Sequence, residues 1–138
     1  MPMLEYTDTH QLRVYYEDTD AGGIVYYANY LKFFERARTE YLRKCGINQS
    51  EFLEQNIGFV VRKIEMDNLA SAKLDDLLIV TSKICQLKGA SLVFEQQIST
   101  ESQGLLCTAK VRIACVNLAL AKPCAIPEII LGALKRVS

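Results

Sequence analysis

The chain has 138 residues but only one histidine, His10, and no C-x-x-C among its five cysteines, Cys45, Cys85, Cys107, Cys115 and Cys124. No zinc ribbon or finger has a ligand set here, and the expected metal content is none. The cysteines read as reduced, mostly buried apolar residues. Formal net charge is also missing, sixteen basic residues meeting sixteen acidic ones, which argues against nucleic-acid binding through a broad basic surface. No uncharged apolar run approaches the roughly 18–20 residues of a membrane span. The first residues, Met1 to Asp8, lack the basic and apolar regions of a secretion signal, so a cytoplasmic protein is expected. Also lacking are a Gly-x-Ser-x-Gly elbow, a P-loop and a Gly-x-Gly-x-x-Gly turn, which leaves elbow-type serine hydrolysis and nucleotide binding without a sequence handle.

What remains reads as one domain over residues 1–138, with half the residues hydrophobic, 23% charged and no repeats. A chain of this length buries roughly 68–70% of its unfolded surface and needs no metal or disulfide to fold. His10 to Glu17 alternates Leu12, Val14 and Tyr16 with polar partners, the period of a half-buried strand. Asp18-Thr19-Asp20-Ala21-Gly22-Gly23 breaks that pattern with turn formers. From about Ala28 to Cys45, Tyr30, Phe34, Ala37, Tyr41 and Cys45 form an apolar helical stripe. Arg36, Arg38, Glu40, Arg43 and Lys44 lie mainly elsewhere, and Gly46 stands where a helix C-terminal glycine belongs.

Asn48 and Glu51 resemble a capping box for a short helix ending near Gly58. Four strands follow, at about Phe59–Asn68, Leu77–Leu87, Ser91–Thr100 and Leu105–Asn117, and Pro127 opens a last helix. The pattern is α+β, a long antiparallel sheet with one long helix early in the chain. One helix covers only one face of such a sheet, so an oligomer is expected on packing grounds.

Asp18 and Asp20 sit between a strand and a long helix. A helix N-terminus presents unpaired N–H groups that can hold an oxyanion, while a nearby carboxylate activates water or attacks directly. The same residues also suit plain turn and capping duty. A calcium loop is excluded by the missing later ligands. Arg62, Lys63 and Lys88 sit at strand ends or turns, where basic residues are commonly solvated. His10 has no acid partner evident in sequence and reads as structural.

The run Arg13-Val-Tyr-Tyr-Glu-Asp-Thr-Asp-Ala-Gly-Gly-Ile-Val-Tyr26 resembles the signature of the hot-dog acyl-CoA thioesterases. That group is the 4-hydroxybenzoyl-CoA thioesterase-like family, and the similarity is to its YbgC-type branch, associated with the bacterial Tol–Pal system. It continues through Ala28 to Leu42, Phe59 to Lys63, Ala72 to Asp76, Gly89 to Phe94 and Lys122-Pro123. The resemblance implies a hot-dog fold, a sheet wrapped around one helix, and hydrolysis of acyl-CoA to a carboxylic acid and free coenzyme A. It places the catalytic carboxylate on Asp20, as base or nucleophile, three residues before Gly23. It puts the oxyanion donor on the Tyr27 N–H, and Glu35 either lines the acyl pocket or pairs with Arg38 one turn on.

Tyr27 stands where close relatives of that branch often carry histidine, so histidine-assisted chemistry is not expected. No cofactor is implied, coenzyme A being part of the substrate, and Arg62, Lys63 and Lys88 are candidates to meet its phosphates. A homodimer or homotetramer is implied, with acyl carrier protein as a possible alternative donor. Two other readings stay open: a binding module without turnover that serves acyl carriers or membrane assembly, and a hydratase or dehydratase, which would need a histidine beside Asp20.

Overall fold

A computed structural model describes residues 6–136; the first five residues of the N-terminal reading and the last two of the 1–138 domain lie outside it. The order is β1 (Thr7–Arg13), α1 (Asn29–Lys44), α2 (Gln49–Glu54), β2 (Ile57–Asn68), β3 (Leu77–Leu87), β4 (Ser91–Thr100), β5 (Gly104–Asn117), β6 (Lys122–Pro123) and α3 (Glu128–Arg136). The strands form one antiparallel sheet in the order β1-β3-β4-β5-β2, with the short β6 paired to β5. The chain therefore leaves one sheet edge after β1, crosses as α1, and re-enters at the other edge as β2.

The expected strands β3 and β4 match in full, and β2 and β5 start slightly earlier than expected. The first strand lies earlier than expected: it starts at Thr7 and ends at Arg13, and Tyr16–Asp18 form a 3-10 turn. Asp18 causes the change, because its Oδ2 accepts the Tyr15 N–H at 2.9 Å. Tyr16 is consequently 82% exposed instead of facing inward. The second helix stops at Glu54 because Asn56 turns left-handed (φ 62°) just before β2. Asn48 is its N-cap as expected, its side chain accepting the Ser50 N–H, but the reciprocal half of a capping box is not made: the Glu51 carboxylate meets the Asn48 side-chain amide instead of its backbone N–H. Gly46 ends α1 at φ 86°, a conformation that glycine adopts without Cβ strain. The two-residue β6 is too short to show a period in sequence.

Residues of alternating parity on β3, β4 and β5 face α1. Val80, Ile98 and Cys107 make one row across the sheet, and Ile84, Phe94 and Val111 another. Tyr41 meets Phe94 edge-on, ring centroids 5.1 Å apart. Between these apolar rows lies Ser82, Gln96 and Ala109, a row with two polar members, all buried.

Arg38 descends onto that row. The helical stripe holds for Tyr30, Phe34, Ala37 and Tyr41, but Arg38 is 7% exposed and not on the solvent face. Its Nη1 donates to Gln96 Oε1 at 3.0 Å, while Gln96 Nε2 donates to Ser82 Oγ and to the Phe34 carbonyl. The anticipated Glu35–Arg38 ion pair is absent among the described residues, since burial turns the guanidinium toward Gln96. Burial also lowers the Arg38 pKa to about 10. Gln96→Leu keeps the side-chain size but strips a buried cation of its acceptor. It is expected to cost about 2–3 kcal/mol of unfolding free energy, read by denaturant titration.

Candidate active site

The chain between β1 and α1 is a tight hairpin. Thr19 bridges Val25, Asp20 N–H donates to the Ile24 carbonyl at 3.0 Å, and Gly23 N–H donates to the Asp20 carbonyl at 3.1 Å. Gly23 sits at φ 74°, the left-handed residue that closes a three-residue loop of this kind. Asp20 Oδ1 accepts the Gly22 N–H at 2.9 Å, and Oδ2 has no protein partner among the described residues. Asp20 is exposed, so one carboxylate oxygen is fixed by the turn and the other is open to solvent.

Asp18 serves differently. Its side chain caps the 3-10 turn, and its carbonyl accepts both the Tyr26 N–H and the Asn29 Nδ2–H, at 3.2 and 2.8 Å. Asn29 is the first residue of α1, so this carbonyl ties the Asp20 hairpin to the helix entrance. Sequence reading passed over Asn29, whose only signal was its place at the start of the helical pattern.

At that entrance Asn29 N–H returns to Tyr26, and Tyr30 N–H to Tyr27. The Tyr27 N–H has no acceptor among the described residues, and its ring is 57% exposed against that of Tyr26. An unpaired donor at the positive end of a helix suits a developing negative charge.

A strap formed by residues 69–76 holds the hairpin from the other side. Leu74 N–H donates to Gly23, Val25 N–H to Ala72, and Ile24 bridges Lys73. The strap is fixed in turn by Tyr30, whose hydroxyl accepts the Ala72 N–H at 2.9 Å. Burial raises the Tyr30 pKa, which keeps this hydroxyl neutral.

Glu35 lies further along α1, exposed, on the wall of a cavity of about 320 Å³ that Arg38, Leu42, Phe59, Val61 and Phe94 also line. It also reaches a second groove that contains His10, with Lys32 and Glu40. Arg62 and Lys63 make no contact with Asp20. They lie on β2, four strand spacings from β1, roughly 19 Å along the sheet. Lys63 there pairs with Glu65 at 3.0 Å, and Lys88 stands at the β3–β4 turn.

A curled antiparallel sheet packed on one long helix is the hot-dog arrangement of α+β proteins, and here a carboxylate-bearing hairpin stands at the helix entrance. The chain belongs to the thioesterase-like superfamily, whose family model matches residues 14–134. It is 49% identical over 127 residues to the acyl-CoA thioesterase YbgC of Haemophilus influenzae, covering 91% of this chain and 93% of that one. Identity to the acyl-CoA thioester hydrolase YbgC of Escherichia coli is 45% over 125 residues, with the same coverage. Among solved structures, a probable thioesterase from Bartonella henselae superposes with a TM-score of 0.82 at 40% identity, over 88% of this chain and 100% of that one.

Tyr30→Phe should leave the Ala72 N–H buried without an acceptor. The expected loss is about 1–3 kcal/mol by denaturant titration, with faster amide hydrogen exchange at Ala72 and Val25 than elsewhere in the core.

Proposed function

We propose that this protein hydrolyses acyl-CoA thioesters, the activity for which the YbgC relatives described above are named. The observation that carries the reading is the pairing of an open Asp20 oxygen with an unpaired Tyr27 N–H on the two arms of one hairpin-to-helix junction. The thioester carbonyl accepts the Tyr27 N–H. Asp20 then either takes a proton from water, whose oxygen attacks the carbonyl carbon, or attacks as a carboxylate to form an anhydride that water opens. In both routes the tetrahedral oxyanion rests on the helix N-terminus, and its collapse expels the coenzyme A thiolate, which is then protonated. Products are the carboxylic acid and free coenzyme A, and no resident cofactor enters any step.

The acyl group is assigned to the cavity between α1 and β2. The helix rises about 9 Å from Asn29 to Glu35, so a chain extended along it from the Tyr27 N–H reaches the cavity wall. We place the reaction in the cytoplasm, where a reducing poise keeps thiols free.

We further propose that the working form is a homo-oligomer joined through β2. Within that twelve-residue edge strand only Gly58 is buried, and Val60, Val61 and Ile64 are exposed along it. A long apolar edge is a template for another strand, and pairing two of them brings Arg62 and Lys63 of one copy toward its partner's cleft. The bulge at Arg62 limits how far such pairing runs.

Two outcomes follow. Asp20→Asn should lower kcat by about 10²–10⁴ with the fold intact by circular dichroism, whereas Asp18→Asn keeps most of the turnover. The readout is thiol release across short, long and aromatic acyl-CoAs; a folded Asp20→Asn enzyme near wild-type rate contradicts the assignment. No turnover by the wild type on any of them favours the binding-module reading. Light scattering should give a dimer or tetramer, and a charged substitution such as Val61→Glu should shift it toward monomer. An active wild-type monomer would remove the oligomer proposal.

A further inference from the structure

The carboxy-terminal part of the sheet carries a pair of groups that thioester chemistry does not use. β6 pairs with β5 in the register Val116↔Pro123, and the next position of that register sets Cys115 beside Cys124. The backbone confirms it, Cys124 N–H donating to the Cys115 carbonyl at 3.0 Å. The two sulfurs are 3.4 Å apart, in thiol contact but unbonded. Opposed residues of an antiparallel pair lie about 4.5–5.5 Å apart at Cα, inside the roughly 4.4–6.8 Å that a disulfide spans. A bond between them therefore needs side-chain rotation but no backbone rearrangement.

We propose that Cys115 and Cys124 are an oxidative modification site, a dithiol that hydrogen peroxide closes to an intramolecular disulfide, clamping the segment that leads into α3 to β5. The two thiols have different parts. Cys115 is fully buried, and burial together with its contact to Cys124 pushes its pKa up to about 12, which makes it a poor first nucleophile. Cys124 is half-buried and meets the oxidant first. Its sulfur attacks peroxide, breaking the O–O bond to give a sulfenic acid and one water. Cys115 sulfur then displaces the sulfenic hydroxyl, which leaves with the Cys115 proton as a second water. Two thiols and one peroxide thus give one disulfide and two waters.

The bridge has a definite mechanical consequence. The segment after β6 is held to the sheet by Cys124 N–H to Cys115 and Ile126 N–H to Gly89, and the buried face of α3 (Ile130, Ala133, Leu134) follows directly. A covalent tie closes the loop from 115 to 124, restricting the unfolded chain more than the folded one. Cys85 is the control thiol: it is exposed on β3 and has no cysteine beside it among the described residues.

The test treats the full chain with a few equivalents of hydrogen peroxide, followed by differential alkylation before and after dithiothreitol. The expected result is a fall from five free thiols to three with no covalent cross-link between chains on a non-reducing denaturing gel, and with Cys115 and Cys124 alkylated only after reduction. The melting temperature should rise by several degrees, reverse with dithiothreitol, and stay unchanged by peroxide in Cys124→Ser. Cys85→Ser should behave as wild type in thiol loss at 115 and 124. Cys115 and Cys124 still open to alkylation before reduction would overturn the site, as would Cys124 carried irreversibly to the sulfinic acid. A bridge that forms without moving the melting temperature would overturn the clamp.

Discussion

The hydrogen bond from Arg38 to Gln96 joins the middle of α1 to the middle of the sheet, and the position of every candidate catalytic group follows from it. Apolar packing alone permits a helix to slide or rotate on a sheet at little cost, because dispersion contacts have no direction. A guanidinium bonded to one amide oxygen, whose own amide hydrogens are taken by Ser82 and the Phe34 carbonyl, leaves a single register. A buried charge with this partner lost has no good alternative, so sliding carries a penalty of a few kcal/mol.

Two further ties fix the ends. Lys44 at the last turn of α1 reaches Asp8 on β1 at 2.7 Å, where Asp8 is 4% exposed and also accepts the Tyr6 hydroxyl. At the first turn, Tyr30 holds the 69–76 strap and Asn29 holds the Asp18 carbonyl. The helix is thus pinned at both ends and its centre, and the Asp20 hairpin is bound to it by backbone groups. That arrangement keeps the exposed Asp20 carboxylate and the unpaired Tyr27 N–H in a constant relation without burying either.

Much of the fold is legible in the sequence because strands such as β3 alternate and the turns carry glycine and aspartate. β3 and β4 follow from period alone, and Gly46 and Asn48 announce the ends of the helices beside them. The misreadings share a physical cause, a side-chain hydrogen bond that outweighs local pattern. Asp18 pulls Tyr15 and Tyr16 out of the first strand, and Gln96 draws Arg38 into the core. The first bond spans three residues within one turn and is masked by the apolar alternation around it, while Gln96 lies on a different element from Arg38, where no periodicity within one segment reveals it. For the site, resemblance singles out Asp20 and Tyr27, while spacing alone leaves Asp18 and Asp20 equivalent. The supporting residues Asn29 and Tyr30 had no distinguishing signal, since each reads as an ordinary helix position until the strap and the turn are seen beside it. Arg62 and Lys63 show the converse: sequence nominates them, and sheet order puts them at the edge opposite β1.

The central claim is that the Tyr27 N–H receives the carbonyl oxygen of an acyl thioester whose carbonyl carbon faces Asp20. A crystal structure of the full chain with a non-hydrolysable ketone analogue, in which a methylene separates the coenzyme A sulfur from the acyl carbonyl, tests it directly. The account predicts that carbonyl oxygen within hydrogen-bonding distance of the Tyr27 N–H, Asp20 Oδ2 or its bound water on the carbonyl face, and the acyl chain along α1 toward Glu35. A carbonyl bound away from the α1 entrance, with Asp20 in contact with neither it nor an intervening water, would contradict it.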